Sequence, residues 1–347
     1  MKDLEDPYYN QFLYVPMLAY NLYDGVSPGI RFHNKTILDK PFTFDVNPSY
    51  SPKTNMMIGN FSFGINQNYR ESRLYNVRYT MNGSYFHYAQ DAAYLKINPA
   101  VIMNIRESNF RDNRKQAIIF RYNIVEKEPS KIINDTNENY SVFNFKYFNT
   151  KTEVTNHVNF NSDIQFSSGF GKVAGEVQYR KLFNSNRQIN LRLYAGAFTY
   201  NDNKTNSYNF GVYQPNDYLF EHNLFGRSET SGLFSQQFIL AEGGFKSKIL
   251  TSSINQWITT SNMSFNVWNW IEIYSDFGLV KNKYTRPEFI YDSGIRLNLV
   301  TDYFELYFPV YSNLGWEISQ NKYSEKIRFV ITLSPKTLMN LFTRKWF

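Results

Sequence analysis

The chain has 347 residues, a mass of 41.1 kDa, a formal net charge of +7 and a pI near 9.1, and it contains no cysteine. The missing cysteine excludes disulfides, thiol catalysis and cysteine-based zinc sites. The basic residues are scattered and form no run, which argues against a nucleic-acid interface.

Aromatic residues make up 18% of the chain, with 28 Tyr and 31 Phe, yet the mean hydropathy is −0.49. Tyr, Phe, Val, Ile and Thr favour strands, and Asn, Asp and Gly favour turns. This mixture suits a β protein with one apolar, aromatic face and one polar face.

Taken from the start, "MKDLEDPYYN" has no apolar core of a secretory leader. Residues 1–13 are expected to be a linker, 14–334 a β-barrel and 335–347 a tail. "YDGVSPG" (Tyr23–Gly29) and "QDA" (Gln90–Ala92) are expected turns. Ala93–Arg106 and Gln116–Ile124 alternate apolar and polar residues, and Glu126–Asn139 follows as a long polar loop. Val142–Phe148, Val154–Phe166 and Lys172–Arg180 continue the alternation, with Ser167–Gly171 and Asn184–Arg187 as short turns. In Gln188–Tyr200, Ile189, Leu191, Leu193, Ala195 and Ala197 oppose Gln188, Asn190, Arg192 and Tyr194.

Asn201–Ser235 is rich in turn formers and is expected to be a second long loop. Ile249–Ile271 is uncharged, but its Ser, Thr, Asn and Gln disqualify it as a transmembrane helix. Asn269–Leu279, Phe289–Leu299 and Tyr303–Val310 resume the alternation, and Ile327–Leu333 is the expected closing strand. Beyond Pro335, Leu338, Met339, Leu341, Phe342 and Trp346 fall at helical spacing. Arg344, Lys345, Trp346 and Phe347 are the expected interfacial anchor.

Period-two patterning repeated over strands this long predicts an all-β fold, a closed antiparallel transmembrane β-barrel of about 16 strands with a range of roughly 12–18. Without a spanning helix, only a closed barrel satisfies backbone polar groups in lipid. Charges should then sit on the inward face. Glu272 and Asp276 lie opposite Ile271, Ile273 and Phe277. Glu288, Asp292 and Arg296 lie opposite Phe289, Ile295, Leu297 and Leu299, and Glu305 lies opposite Phe304, Leu306 and Phe308. With Arg328, these form the expected lumen charge cluster. Arg180 and Arg192 are further candidates to face the acids. For Arg296 the expected partners are Glu305 and Asp276 on adjacent strands.

No catalytic or metal site is expected. The four histidines are His33, His87, His157 and His222, and no two lie within one helical turn. His157 with Asn156 and Asp163 is the nearest approach to a hydrolase constellation. Asn156 points to the opposite face, and Asp163 is six residues away, about 20 Å along a strand. "GFGKVAG" (Gly169–Gly175) reads as turn plus strand, since no helix follows it.

"VPMLAYNLYDGVSPGIRFHN" (Val15–Asn34), "KPFTFDVNPSYSPKTNMMIGNFSFGIN" (Lys40–Asn66) and the run Asp292–Phe347 resemble the C-terminal barrel region of bacterial aminopeptidase N-type (gluzincin) zinc metallopeptidases. The resemblance covers about the first and last 55 residues of the barrel. It implies a bacterial outer-membrane barrel that anchors an upstream metallopeptidase domain absent from this sequence, with Met1 as a fragment start. Zinc is expected only in that domain, because its His-Glu-x-x-His ligands have no counterpart here. Outer-membrane lipids, the bacterial barrel-assembly machinery and the linked peptidase domain are the implied partners. The alternatives are a porin-like channel with a charge-lined lumen and, less favoured, a soluble carbohydrate-binding β protein.

Overall fold

The computed structural model describes residues 11–34, 40–109, 111–133, 139–202, 205–300 and 303–331. The tail 335–347, and with it Arg344, Lys345, Trp346 and Phe347, lies outside the described residues, as do residues 1–10.

The fold is all-β. The first strands are β1 (Leu13–Asn21), β2 (Gly25–His33), β3 (Phe42–Ser51), β4 (Met56–Asn68) and β5 (Leu74–Ala89). They are followed by β6 (Ala92–Arg106), β7 (Arg114–Lys127), β8 (Tyr140–Thr152), β9 (Asn156–Phe166), β10 (Phe170–Leu182) and β11 (Gln188–Asn201). Two-residue strands β12 (Phe210–Gly211) and β13 (Ser253–Ile254) pair with each other. The series ends with β14 (Trp257–Trp268), β15 (Ile271–Lys281), β16 (Glu288–Val300), β17 (Phe304–Ser312), the two-residue β18 (Gly315–Trp316) and β19 (Arg328–Ile331).

Of the nineteen strands among the described residues, seventeen belong to one sheet. β12, β13 and β18 are two residues each, which leaves sixteen longer ones. Chain neighbours pair antiparallel from β1 through β9 and from β14 through β17, and β19 pairs with β17. Among the described residues there is no α-helix. Two short 3₁₀ turns, Leu233–Gln236 and Tyr323–Glu325, are the only helical pieces there.

The chain forms two compact units. The first holds Met1–Val177, Gly196–Thr205 and Asp217–Glu229, and the second holds Gln178–Ala195, Asn206–Asn216 and Thr230–Phe347.

Burial in both units is inverted relative to a water-soluble protein. On β15, Ile273 is 54% exposed and Leu279 49%, while Glu272 and Asp276 are 2% and 0% exposed. On β2, Val26 and Ile30 are exposed while Ser27 is buried; on β4, Met57 and Ile65 are exposed. Soluble proteins bury such aliphatic residues and expose their charges. On β15 the aliphatic side chains Ile273 and Leu279 face outward, and the carboxylates of Glu272 and Asp276 face the packed side.

Several local expectations shift. "YDGVSPG" is mostly strand: the turn is Leu22–Asp24, and β2 starts at Gly25. Asn21 Oδ1 accepts the backbone N–H groups of Tyr23 (2.8 Å) and Asp24 (2.6 Å), an Asx turn. Gly25 closes it at φ +69°, a conformation that favours glycine. Val154 is 97% exposed in the hairpin turn before β9, so that strand begins two residues late. β19 starts at Arg328, one residue after the expected Ile327, and is described as far as Ile331; the expected end at Leu333 lies outside the described residues.

Asn201–Ser235 is a long and mostly irregular segment, as expected, but much of its described part is buried. It is not a solvated loop. Phe210, Val212, Tyr218, Leu219, Phe220 and Phe225 within it are all buried, as are Phe238, Phe245 and Ile249 just beyond.

Candidate functional site

In each unit the candidate site is the polar face of its own strands together with the parts of segment 205–252 that cover it. In the first unit, residues 217–229 lie against β1 and β5–β10. The Leu22 N–H donates to Phe225 O (2.8 Å), and the Ser228 N–H donates to Tyr23 Oη (2.8 Å). Burial, opposed in part by that hydrogen bond, raises the Tyr23 phenol above the ordinary tyrosine range.

Phe220 is the hub. It stacks on Tyr94 at 3.7 Å, meets Tyr88 edge-on at 6.2 Å and carries the Arg227 guanidinium at 4.5 Å. Lys96 Nζ donates to its carbonyl (3.2 Å). Asp217 shapes the loop: its carboxylate accepts the N–H groups of Glu221 (2.7 Å) and His222 (3.1 Å) and pairs with Arg227 Nη2 (2.6 Å).

Glu221 then reaches the wall. It pairs with Arg121 of β7 and with Lys146 of β8 (3.5 Å), and Lys146 also meets Asp163 of β9 (3.3 Å). Burial opposes its charge, but Lys146, Arg121 and Lys96 outweigh that and hold its carboxyl below the usual range. Tyr218 sits on Lys172 of β10, whose Nζ lies 3.2 Å from Tyr218 Oη and 4.7 Å from the ring centroid.

In the second unit, residues 206–216 and 230–252 cover β14–β17 and β19. Asp276 and Asp292 are register partners on β15 and β16, and both are fully buried. Lys246 Nζ donates to both oxygens of Asp276 (2.8 and 2.9 Å). The Lys246 and Ser247 N–H groups donate to Asp292 Oδ2 (2.8 and 2.6 Å).

Arg192 donates to Glu242 O (3.0 Å) and Asn262 Oδ1 (2.8 Å). Arg328 is wholly buried and donates to the carbonyls of Tyr213 (2.6 Å) and Gln237 (3.2 Å), with the Phe238 ring 5.2 Å from its guanidinium carbon. Phe238 packs on Tyr307 at 4.8 Å, and Tyr307 on Tyr274 at 5.9 Å.

Of the expected cluster, Glu272, Arg296 and Glu305 come together. Arg296 Nε donates to Glu305 Oε2 (3.1 Å) and Nη2 donates to Glu305 Oε1, while Nη1 donates to Glu272 Oε2 (3.0 Å). Asp276 is therefore not its partner. The register sets Glu272 directly opposite Arg296, and Asp276 four residues further along β15. Asp276 and Asp292 form a second group around Lys246. Glu288 stands apart at the exposed start of β16, where its Oε2 accepts from Thr251 Oγ1 (2.8 Å). Arg328 meets carbonyls and rings, and Arg180 meets Asn190 (2.9 Å).

His157 Nδ1 lies 2.9 Å from Thr152 Oγ1. The closest His–carboxylate pair is one the sequence did not suggest: His87 Nδ1 lies 2.6 Å from Asp24 Oδ1, in the turn region between β1 and β2. Asp24 Oδ2 also accepts from Asn21 Nδ2 (2.6 Å) and the His87 N–H (3.1 Å), and the Asp24 carbonyl accepts from Ser51 Oγ (2.8 Å). It is a turn-locking centre. Among the described residues no group of three metal-ligating side chains converges.

No protein-family model matches the chain, and no curated protein is similar to it in sequence. Solved structures similar to this chain include the following two. One is CdiB from Acinetobacter baumannii, at 13% identity and a TM-score of 0.41, covering 85% of this chain and 55% of that one. The other is BamA from Haemophilus ducreyi lacking POTRA domains 1–3, at 9% identity and a TM-score of 0.46, covering 92% and 69%. This chain thus spans about half the length of the first.

Proposed function

We propose that this chain is an outer-membrane β-barrel whose polar strand faces are covered, within each unit, by parts of its own segment 205–252, and that it serves as a membrane anchor, not an open pore. The observation that carries the membrane part is the inverted burial, with Ile273 and Leu279 outward and Glu272 and Asp276 inward on one strand. An Arg or Lys on the lipid side at mid-bilayer would cost about 2–4 kcal/mol, so such sorting is what lipid demands. Most of the longer strands also meet the roughly 9–11 residues that a tilted membrane strand needs.

The filled polar face favours the anchor over the porin-like alternative. A porin needs water along its charged wall, whereas here Lys246, Glu221 and Phe220 of the covering segment occupy that wall in their respective units. Outer-membrane lipids and the barrel-assembly machinery are the partners that follow.

An attached zinc peptidase is the finer form of this reading. What supports it is the resemblance of Val15–Asn34, Lys40–Asn66 and Asp292–Phe347 to the barrels of aminopeptidase N-type enzymes. An in-frame His-Glu-x-x-His domain in the coding sequence ahead of Met1 is the expected finding, and any other upstream sequence removes the peptidase.

Planar-bilayer recording tests the anchor itself. The reconstituted chain is expected to give no stepwise conductance. Discrete, ion-selective steps from the unmodified chain would establish the porin alternative in its place.

A further inference from the structure

Basic residues that are scattered in sequence converge at one rim of the first unit. The hairpin between β4 and β5 carries Arg70 and Arg73, and the next one, between β6 and β7, carries Arg111, Arg114 and Lys115. The two hairpins are tied side by side. The Arg106 N–H donates to Arg73 O (2.9 Å), and Arg106 Nε donates to Ser72 O (3.1 Å). Arg106 therefore serves the backbone, with its guanidinium carbon 6.0 Å from the Tyr75 ring centroid.

The other five cations are exposed. Arg70, Arg111 and Lys115 have no ion-pair partner among the described residues. Arg73 and Arg114 share one carboxylate, Glu107, at the long distances of 3.6 and 3.8 Å. Over residues 69–75 and 106–115, six basic residues (these five and Arg106) stand against Glu71, Glu107 and Asp112, a net charge of +3. The rim also adjoins the outward apolar surface, because Tyr69, Tyr75, Tyr79 and Met81 are all exposed beside it.

We propose that this rim binds the phosphate groups of anionic lipid headgroups. The proposal rests on the membrane reading, since only then do headgroups meet this border. The chemistry is specific in kind. Four of the five exposed cations are arginines, whose planar forks match phosphate oxygens two at a time. Exposed tyrosines beside them suit the headgroup level, where amphipathic rings settle. On the next hairpin Lys151 and Glu153 pair one to one at 2.8 Å, whereas here Arg73 and Arg114 share the single carboxylate of Glu107.

The test is electron spin resonance on the full chain in phosphatidylcholine vesicles, with spin-labelled phosphatidylglycerol or phosphatidylcholine as probe. The motionally restricted fraction reports lipid at the protein surface. The wild-type chain is expected to prefer the anionic label by about two- to fourfold at low salt, with the preference collapsing at about 0.5 M NaCl. Joint substitution R70Q, R73Q, R111Q, R114Q and K115Q should bring the ratio to near unity. K283Q with R286Q, in the hairpin between β15 and β16, should leave most of it. Millimolar inorganic phosphate at fixed ionic strength should not compete.

A heat-induced mobility shift in SDS gels equal to that of wild type checks that the five-fold variant still folds. An equal preference in wild type and variant overturns the proposal. So does a preference lost only in the K283Q, R286Q protein, or one abolished by free phosphate. If neither label shows a restricted fraction, the membrane reading itself has failed and the rim proposal falls with it.

Discussion

Asp276 and Asp292 face each other as register partners on β15 and β16, both out of contact with water, and Lys246 is bound to both. Its ammonium takes the first carboxylate and its backbone N–H the second. Like charges directly opposed on a ladder are destabilising, so this pair needs the covering segment in place. The dependence runs both ways: the segment is held by the acids, and the acids are tolerable because of the segment.

Lys246→Met is expected to remove the only side-chain cation bonded to Asp276 among the described residues. Breaking a buried pair on one side typically costs about 3–5 kcal/mol. Urea unfolding of the reconstituted chain should show a loss of that order. Lys283→Met, at an exposed hairpin position, should change stability by less than about 0.5 kcal/mol. A neutral Lys246→Met would mean that water reaches the two aspartates.

Arg296 presents a similar case one layer along. Its fork spans Glu305 and Glu272, and Tyr307 Oη donates to Glu305 Oε2 (2.6 Å), so the guanidinium closes a four-residue network. Arg296→Leu should lower thermal resistance far more than Lys283→Leu or Arg286→Leu. Arg296→Lys should recover part of the loss, because an ammonium cannot serve both carboxylates with fork geometry. Heat-modifiability in SDS gels and Tm in detergent read both.

The strands were legible because period-two alternation is a local property. Ile271, Ile273 and Phe277 against Glu272 and Asp276 can be read without knowing any neighbour. The sixteen longer strands agree with the count the alternation suggests. Pairing was less legible. Arg296 was expected to meet Asp276, but cross-strand register decides that partner, and register depends on the turn between β15 and β16.

The covering segment was not legible. Its Asn, Ser, Gly and Asp content signals turns, and turns usually lie in water. A polar segment is equally at home against a wall that is itself polar, as Glu221 on Arg121 and Lys146 illustrates. Single-sequence patterning has no means of telling these two surroundings apart. The basic rim escaped notice for a related reason: Arg70 and Arg111 are neighbours only through the β5–β6 pairing.

Glu221 gives a pH dependence with a defined sign. Burial would raise its carboxyl pKa, but Lys146, Arg121 and Lys96 lower it below the ordinary value. A depressed folded-state pKa contributes stability above the unfolded pKa, about 4.3 for Glu, and that stability is lost as the pH falls through the folded value. The wild-type Tm should therefore fall between about pH 5 and pH 3 by more than that of Glu221→Gln. At pH 7 the variant should be the less stable of the two. Parallel Tm curves over this range would mean that Glu221 is not paired in solution.

Gly294 tests the packing of the second unit without touching a charge. It lies on β16 opposite Tyr274, and a Cβ there would sit 2.5 Å from Tyr274 Oη and 2.3 Å from Phe308 O. The tyrosine tip can swing aside, but the backbone carbonyl cannot, so Gly294→Ala forces a shift of β17. Overpacking of this kind typically costs about 1–3 kcal/mol. Tyr274 carries Tyr307, and Tyr307 carries Phe238 of the covering segment, so the strain should reach that segment. Gly175→Ala on β10 is the matched control: its nearest neighbour would be Asn161 O at 3.9 Å, an ordinary contact. Hydrogen exchange should show faster exchange at the Phe238 N–H, which donates to Phe329 O (2.7 Å), in Gly294→Ala and wild-type rates in Gly175→Ala. Equal protection in all three proteins would show that Tyr274 does not support the segment.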